Sequence, residues 1–455
     1  KDARVYISSD AFLNEVTGLV EWPVALCGKF DARFLELPSE VLISSMQDHQ
    51  RYFAVKDKQD KLLPYFVTIS NIESGDESRV VHGNERVLRA RLSDAAFFFD
   101  VDKQENMDAR VERLKTILYQ AKLGTLYDKA ERLSRLASAI TQQIGGDKVQ
   151  AARAGLLAKA DLTSAMVGEF PELQGVMGGY YAVSNGESTQ VSQAIGEHYL
   201  PRFAGDALPA TSLGAIIALA DRLDTLVGYF GIGQIPTGDK DPYGLRRAAL
   251  SVIRILIEKR IHIDLQQVLT AAVAGYYLSF DASKVIPPIL TFMQERLRAW
   301  YLEQGITADV FAAVAVVGMK DPIDIHDRIK AVQAFKLLTE AEALSVANKR
   351  VSNILTKCDA NIGNKAIDAA MFESVAEEVL AKEVEAKSAV VTKFYQAGEY
   401  DKVLLTLADL RKPVDDFFEQ VMVMTEDKPK RENRLLLLTK LRALFLQVAD
   451  IALLQ

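Results

Sequence analysis

His82-Gly83-Asn84-Glu85-Arg86-Val87-Leu88-Arg89-Ala90-Arg91-Leu92-Ser93-Asp94 is the stretch where the chain changes its period. Leu88, Leu92, Ala95 and Phe99 step by four, three and four residues, the spacing of one helix face. Upstream, the first eighty residues read as strands with short helices. Residues 51–55 and 65–69 flank the polar turn 56–61, a hairpin signal, and 19–26 and 40–46 are short apolar stretches bounded by Gly and Pro. Downstream almost everything reads helical, most clearly 123–140, 211–227, 245–257 and 366–395. Breaks are expected at Gly145-Gly146, Gly178-Gly179, Pro201, 236–244, Pro287-Pro288, Pro413 and Pro429. The expectation is a mainly α, multi-domain protein: an N-terminal α+β module, a long helical body, and a terminal helical bundle after about Leu338.

At 455 residues the chain is too long for one core. Apolar residues make up 49% and charged residues 25%, an ordinary globular profile, and no apolar run approaches the roughly 18 residues that span a bilayer. The start, Lys1-Asp2-Ala3-Arg4-Val5-Tyr6, has no initiator Met and reads as lying inside a longer protein. Cys27 and Cys358 show no metal-ligand spacing; they fit a reducing cytoplasm and are expected to be buried. The net charge of −7 argues against wholesale coating by nucleic acid, so an RNA partner has to meet local basic patches.

Four local patterns carry candidate chemistry. In the opening stretch Asn84 is expected to cap a helix on which Arg86 and Arg89 sit one turn apart. They form either a cationic ridge for phosphates or a solvated face paired with Glu85 and Asp94. The second pattern is Ala158-Lys159-Ala160-Asp161-Leu162. Helical His-Asp phosphohydrolases hold a metal with a His-Asp pair, an earlier His and a later Asp. Asp161 and Asp221 stand where two such acids fall, but Ala160 occupies the place of the His and only His49 and His82 lie upstream. These positions therefore read as a degenerate metal site that holds no ion. His198 and His262 have no ligand-like sequence neighbours, and Asp327 of His326-Asp327 reads as a near-cap acid.

The third pattern is 236–247. Asp241 is expected at an N-cap and Pro242 at the first helical position. Lys240, Arg246 and Arg247 stand close by, so the helix start is either structural or a phosphate cradle. The fourth lies near the C-terminus, where Leu437, Leu441, Leu444, Val448 and Ile451 form a core stripe. Lys428, Lys430, Arg431, Arg434, Lys440 and Arg442 face only Glu432 within that segment. Arg431, Arg434 and Arg442 are the expected contacts to an RNA backbone. Phe417, Phe418 and Phe445 are available for base stacking or for core packing. No dinucleotide fingerprint, nucleotide-binding Gly-rich loop, Gly-x-Ser-x-Gly elbow, zinc-spaced set or adenylate-forming signature is present.

Six long strings together resemble the beta subunit of bacterial two-subunit glycyl-tRNA synthetase. They are residues 15–25 (Glu15-Val16-Thr17-Gly18-Leu19 onward), His49-Gln50-Arg51-Tyr52-Phe53, 83–91, Glu169-Phe170-Pro171-Glu172-Leu173-Gln174-Gly175, 241–247, and 413–418 with 421–424. The resemblance implies a tRNA-binding subunit with no catalytic residues or cofactor of its own. ATP and Mg would be used through a separate alpha subunit, in a cytoplasmic hetero-oligomer acting on tRNA(Gly). It also implies a division into 1–118, similar to part of the phenylalanyl-tRNA synthetase beta chain, 119–250, a degenerate His-Asp-type helical domain, 251–338, a helical linker, and 339–455, an anticodon-binding-type domain. A divergent phosphohydrolase and a non-catalytic helical scaffold are the alternatives.

Overall fold

The computed structural model describes residues 3–357 and 366–454. They fall into two compact units, Lys1–Asp224 with Gly275–Leu278, and Thr225–Ala274 with Ser279–Gln455. The chain is mainly helical, as its periodicity requires.

In the first unit β1 (Arg4–Tyr6), β2 (Val24–Lys29), β3 (Phe53–Lys56) and β4 (Leu62–Ser70) form one antiparallel sheet in the order β1-β3-β4-β2. The expected hairpin is β3–β4, closed by Asp57, whose amide donates to Lys61 O and whose carboxylate accepts from the Gln59 and Lys61 amides. Phe53, Ala54 and Val55 are all buried, which is why that segment is apolar without alternation. α1 (Asp10–Gly18) lays Phe12 and Val16 against Phe53, and α2 (Ser39–Gln50) precedes β3. On β2 the side chains alternate, with Leu26 inward and Cys27 outward. Cys27 is therefore exposed, contrary to expectation, and Cys358 lies outside the described residues. Gly28 is required here, because a Cβ would fall 2.4 Å from the Phe66 ring.

α3 (Glu77–Lys103) begins earlier than its apolar spacing suggests, capped by Asp76. Asn84 is therefore interior and not a cap: it accepts from Tyr52 Oη (2.5 Å) and donates to Val80 O (2.9 Å). Leu88, Leu92 and Ala95 are fully buried, so the face that marks the period change is the packed one. There follow α4 (Met107–Arg113), a ribbon of β5 (Leu118–Gln120) and β6 (Gly124–Thr125), α5 (Leu126–Ile144), α6 (Lys148–Leu157), α7 (Ala165–Glu169), α8 (Val176–Ser184), α9 (Thr189–Glu197) and α10 (Ser212–Gly231). α5 opens with a Thr125–Asp128 capping box. Its buried face carries Lys129 and Arg132 beside Leu133, Leu136 and Ile140. Two cations at core positions require carboxylate partners nearby.

The second unit holds α11 (Leu245–Glu258), α12 (Leu265–Ala274), α13 (Ala282–Glu303), α14 (Ala308–Ala315) and α15 (Pro322–Lys336). Its terminal bundle is α16 (Ala341–Lys357), α17 (Val375–Gln396), α18 (Tyr400–Ala408), α19 (Arg411–Gln420) and α20 (Lys428–Leu446). Pro287 and Pro288 do not break α13. They remove two amide donors on an exposed face, so the freed carbonyls lie on the solvent side of the helix and not in the core. Pro413 and Pro429 lie in the first turns of α19 and α20, where no intrahelical donor is needed. α17 starts at its Ser374 cap and not near 366. On α15 the cap is Asp321, which also pairs with His262 (2.8 Å). Asp327 is six residues further on, inside the helix and paired with Arg260 (2.7 Å), and His326 meets Tyr301 Oη (2.6 Å).

Candidate nucleic-acid interface and a buried charge centre

Asp161 and Asp221 do converge, on a largely buried centre in which Asp161 is fully buried and Asp221 keeps a small exposed edge. Asp161, on the turn Ala160–Thr163, accepts through Oδ2 from the amides of Gly175 (2.6 Å) and Gly178 (3.0 Å), and so caps α8. Its Oδ1 has no hydrogen-bond partner. Asp221, on α10, faces two ammonium groups: Lys129 Nζ is 2.9 Å from Oδ1 and Lys159 Nζ 2.9 Å from Oδ2. Asp224, one turn on, takes Arg132 (2.7 Å) and Lys129 (3.1 Å), while Tyr276 donates to its carbonyl (2.7 Å). Lys159 also lies 2.9 Å from His198 Nε2 and 3.9 Å from the Tyr199 ring centre.

His198 is thus a member of this centre, which its sequence neighbours did not indicate. It closes α9, far along the chain from Lys159, and only the packing of α9 brings the two together. Its Nδ1 is 2.6 Å from Ile195 O and donates to it, which leaves the Nε2 lone pair aimed at Lys159. Burial and the Lys159 charge hold the imidazole well below its usual value, so it is neutral. Burial opposes ionisation of Asp221, but Lys129 and Lys159 outweigh it and keep the carboxyl well below the usual range. Burial pulls the Lys159 amine down to about 8 and lifts Asp161 to about 6. A divalent metal does not fit these residues. The Lys159 ammonium fills the space between His198 Nε2 and Asp221, and two ammonium groups repel a dication. Among the described residues no group of three or more His, Cys, Asp or Glu is arranged to hold an ion.

The cationic patches divide sharply by pairing. On α3, Arg86 and Arg89 are exposed and their side chains have no partner among the described residues. Glu85 is turned away to the Lys29 amide (3.0 Å), so it does not neutralise them. Arg79 and His82 extend the same exposed surface. At α11 the helix begins at Leu245, after Gly244 in the left-handed region, and not at Pro242. The Asp241 carboxylate accepts from the Leu245 (2.8 Å) and Arg246 (2.9 Å) amides, so that terminus is already filled by an anion and is no open phosphate cradle. Arg246 turns back to Gly238 O, and Arg247 is exposed.

On α20 the sequence cluster is largely cancelled in space. Arg434 is 6% exposed and pairs with Glu377 (2.6 Å) and Glu373 (2.8 Å), an internal fastener that is not available to RNA. Glu377 also accepts the Ser374 amide, so Arg434 secures the capping box of α17. Lys430 pairs with Glu373, Arg442 with Asp450 (2.7 Å), and Arg431 reaches Thr425 O (3.4 Å). Lys428 and Lys440 remain exposed. Leu437, Leu441, Leu444, Val448 and Ile451 are all buried, as their spacing requires.

A basic face that sequence reading missed lies on α16. Lys349, Arg350 and Lys357 share its exposed side with Val346 and Asn353 and border two shallow hollows. The Arg350 guanidinium stacks 4.3 Å from the centre of Phe418, which is half-buried, whereas Phe417 and Phe445 are core. Lys349 and Lys357 have no ion-pair partner among the described residues.

Two family models match this chain. The one described as "Glycyl-tRNA synthetase beta subunit" matches residues 2–316. The chain belongs to that family. The second, described as "DALR anticodon binding domain", matches residues 344–451, which takes in nearly all of α16 and the whole of α17 to α20. The C-terminal bundle is therefore of the anticodon-binding type that the resemblance implied. Among similar relatives is the glycine–tRNA ligase beta subunit of Coxiella burnetii (strain Dugway 5J108-111), 52% identical over 98% of this chain and 65% of that protein. Those of Marinobacter nauticus and Ectopseudomonas mendocina are 49% and 50% identical, each over 98% of this chain and over 64% and 65% of theirs. The chain thus spans about 65% of the length of the curated relatives it matches. No helix among the described residues is long and apolar enough to cross a membrane.

Proposed function

We propose that this chain is the tRNA-binding part of a glycine–tRNA ligase beta subunit, working in a cytoplasmic hetero-oligomer with an alpha subunit that carries out the chemistry on glycine and ATP. The observation that carries this reading is the anticodon-domain match over a bundle with unpaired cations on one face. The absence of adenylate-forming signatures from the sequence agrees with it, so ATP and Mg act through the alpha subunit and this chain holds no cofactor. In this reading tRNA(Gly) meets Arg86 and Arg89 of α3 and, in the C-terminal domain, Lys349, Arg350, Lys357, Lys428, Arg431 and Lys440. Arg247 is an outlying contact. Arg350 on Phe418 offers a platform on which an unpaired base can stack.

The domain division goes with this reading: an α+β module to about residue 118, a linker over 251–338, and a degenerate His-Asp-type domain whose carboxylates, Asp161 and Asp221, lie in α5 to α10. The convergence of those two acids supports it. The test is glycylation of tRNA(Gly) by the chain with and without the alpha subunit, beside a tRNA shift assay on the chain alone. The expected outcome is salt-sensitive tRNA binding by the chain and no charging without the alpha subunit. Charging by the chain alone would end the proposal.

A further inference from the structure

We propose that the Lys159 ammonium stands where a metal ion would stand, a cation built into the chain that keeps divalent ions out of this centre. The inference rests on the reading of α5 to α10 as a His-Asp-type relative, but its evidence is local. His198 presents to Lys159 what a metal ligand presents to a metal: a neutral imidazole with Nδ1–H fixed on a backbone carbonyl (Ile195 O, 2.6 Å) and Nε2 aimed at the cation (2.9 Å). Asp221 supplies the carboxylate on the other side (2.9 Å), and Asp161 presents a buried oxygen with no hydrogen-bond partner. An imidazole nitrogen and a carboxylate oxygen on one positive centre are donors of the kind that divalent transition metals select.

The charge balance agrees. Lys129, Lys159 and Arg132 face Asp161, Asp221 and Asp224, so the centre needs no external ion. Tyr199 closes the remaining side with its ring face 3.9 Å from Nζ, an arrangement suited to an ammonium. Lys129 lies on α5 and Lys159 on the turn that follows α6, the helix packed against α5. A single amine, Lys159, satisfies both His198 and Asp221.

The experiment is metal uptake by the untagged 455-residue chain after chelator stripping, exposure to Ni²⁺ or Mn²⁺ and desalting, with bound metal counted by mass spectrometry. The wild-type chain is expected to retain no stoichiometric ion and to keep its Tm. Lys159→Ala frees His198 Nε2 and the Oδ2 of Asp221, with Lys129 still on Oδ1, and is expected to gain about one Ni²⁺ per chain, lost again in Lys159→Ala/His198→Ala. A wild-type chain that retains one ion, removed by His198→Ala, would overturn the proposal, and this arm needs no destabilised variant. So would a folded Lys159→Ala chain that takes up no Ni²⁺. Because RNA binding is not read, failure here is distinguishable from failure of the proposed tRNA role.

Discussion

Lys159 Nζ and His198 Nε2 lie 2.9 Å apart, and both side chains are shut off from solvent. Around them the first unit holds a polar centre of six charged side chains in a helical core, and most of its testable consequences follow from how completely those charges are matched.

Asp224 is the carboxylate on which two buried cations depend, Arg132 and Lys129. Asp224→Ala leaves both short of a counter-charge, and the expected loss of stability is about 3–5 kcal/mol. Urea unfolding followed by circular dichroism measures it. A loss under about 1 kcal/mol would show that the cations relax to water.

Burial lifts the Asp161 carboxyl to about 6, against the hydrogen bonds from Gly175 and Gly178. An unfolded aspartate titrates near 3.9, so between the two values the folded chain binds more protons than the unfolded one. Stability contributed through this group therefore falls as pH rises from about 4 to about 6. Lys159, which faces it, keeps its charge throughout that window. Asp161→Asn retains an acceptor for both amides and is expected to flatten this part of the profile. Unfolding free energies of the two proteins between pH 4 and 6.5 decide it, and parallel profiles would contradict the assignment.

Arg434 and Lys440 lie on one helix yet are expected to behave oppositely. Arg434→Met strands the buried Glu377 carboxylate, with an expected stability loss of about 3 kcal/mol. Lys440→Ala is expected to shift stability by under about 0.5 kcal/mol and to weaken tRNA binding. Thermal melts and a tRNA shift assay on both variants separate the roles. A stable Arg434→Met chain with weakened tRNA binding would reverse them.

Pyrophosphate exchange with glycine and ATP is expected to be absent from the pure chain, since its sequence carries no adenylate-forming signature. Clear exchange above a no-enzyme control would require an active site in these residues.

What was legible in the sequence follows from periodicity and charge at short range. The Leu88–Leu92–Ala95 face and the β3–β4 hairpin are local patterns, and both are present where their spacing puts them. The start of α3 was misplaced because Asp76 caps it from a position with no apolar signal alongside; at α11 the anionic role of Asp241 was legible, but Gly244 in the left-handed region puts the first helical residue at Leu245 and not at Pro242. The basic cluster on α20 was overestimated because Glu373, Glu377 and Asp450 cancel it from other parts of the chain. His198 was missed for the same reason: its partner is a lysine far along the chain, so no spacing rule relates them. The Lys349-Arg350 face was passed over since an adjacent pair of cations on a helix reads as ordinary solvated surface.

The most direct test of the account is the salt dependence of tRNA(Gly) affinity for the wild-type chain beside Arg86→Ala/Arg89→Ala and Lys349→Ala/Lys357→Ala. The account predicts salt-sensitive binding by the wild-type chain and a log–log slope shallower by about 1.4 to 1.8 units in each double variant, two phosphate contacts apiece, with unchanged melting temperatures. A wild-type chain whose tRNA affinity does not respond to salt, or slopes unchanged in both variants, would contradict it.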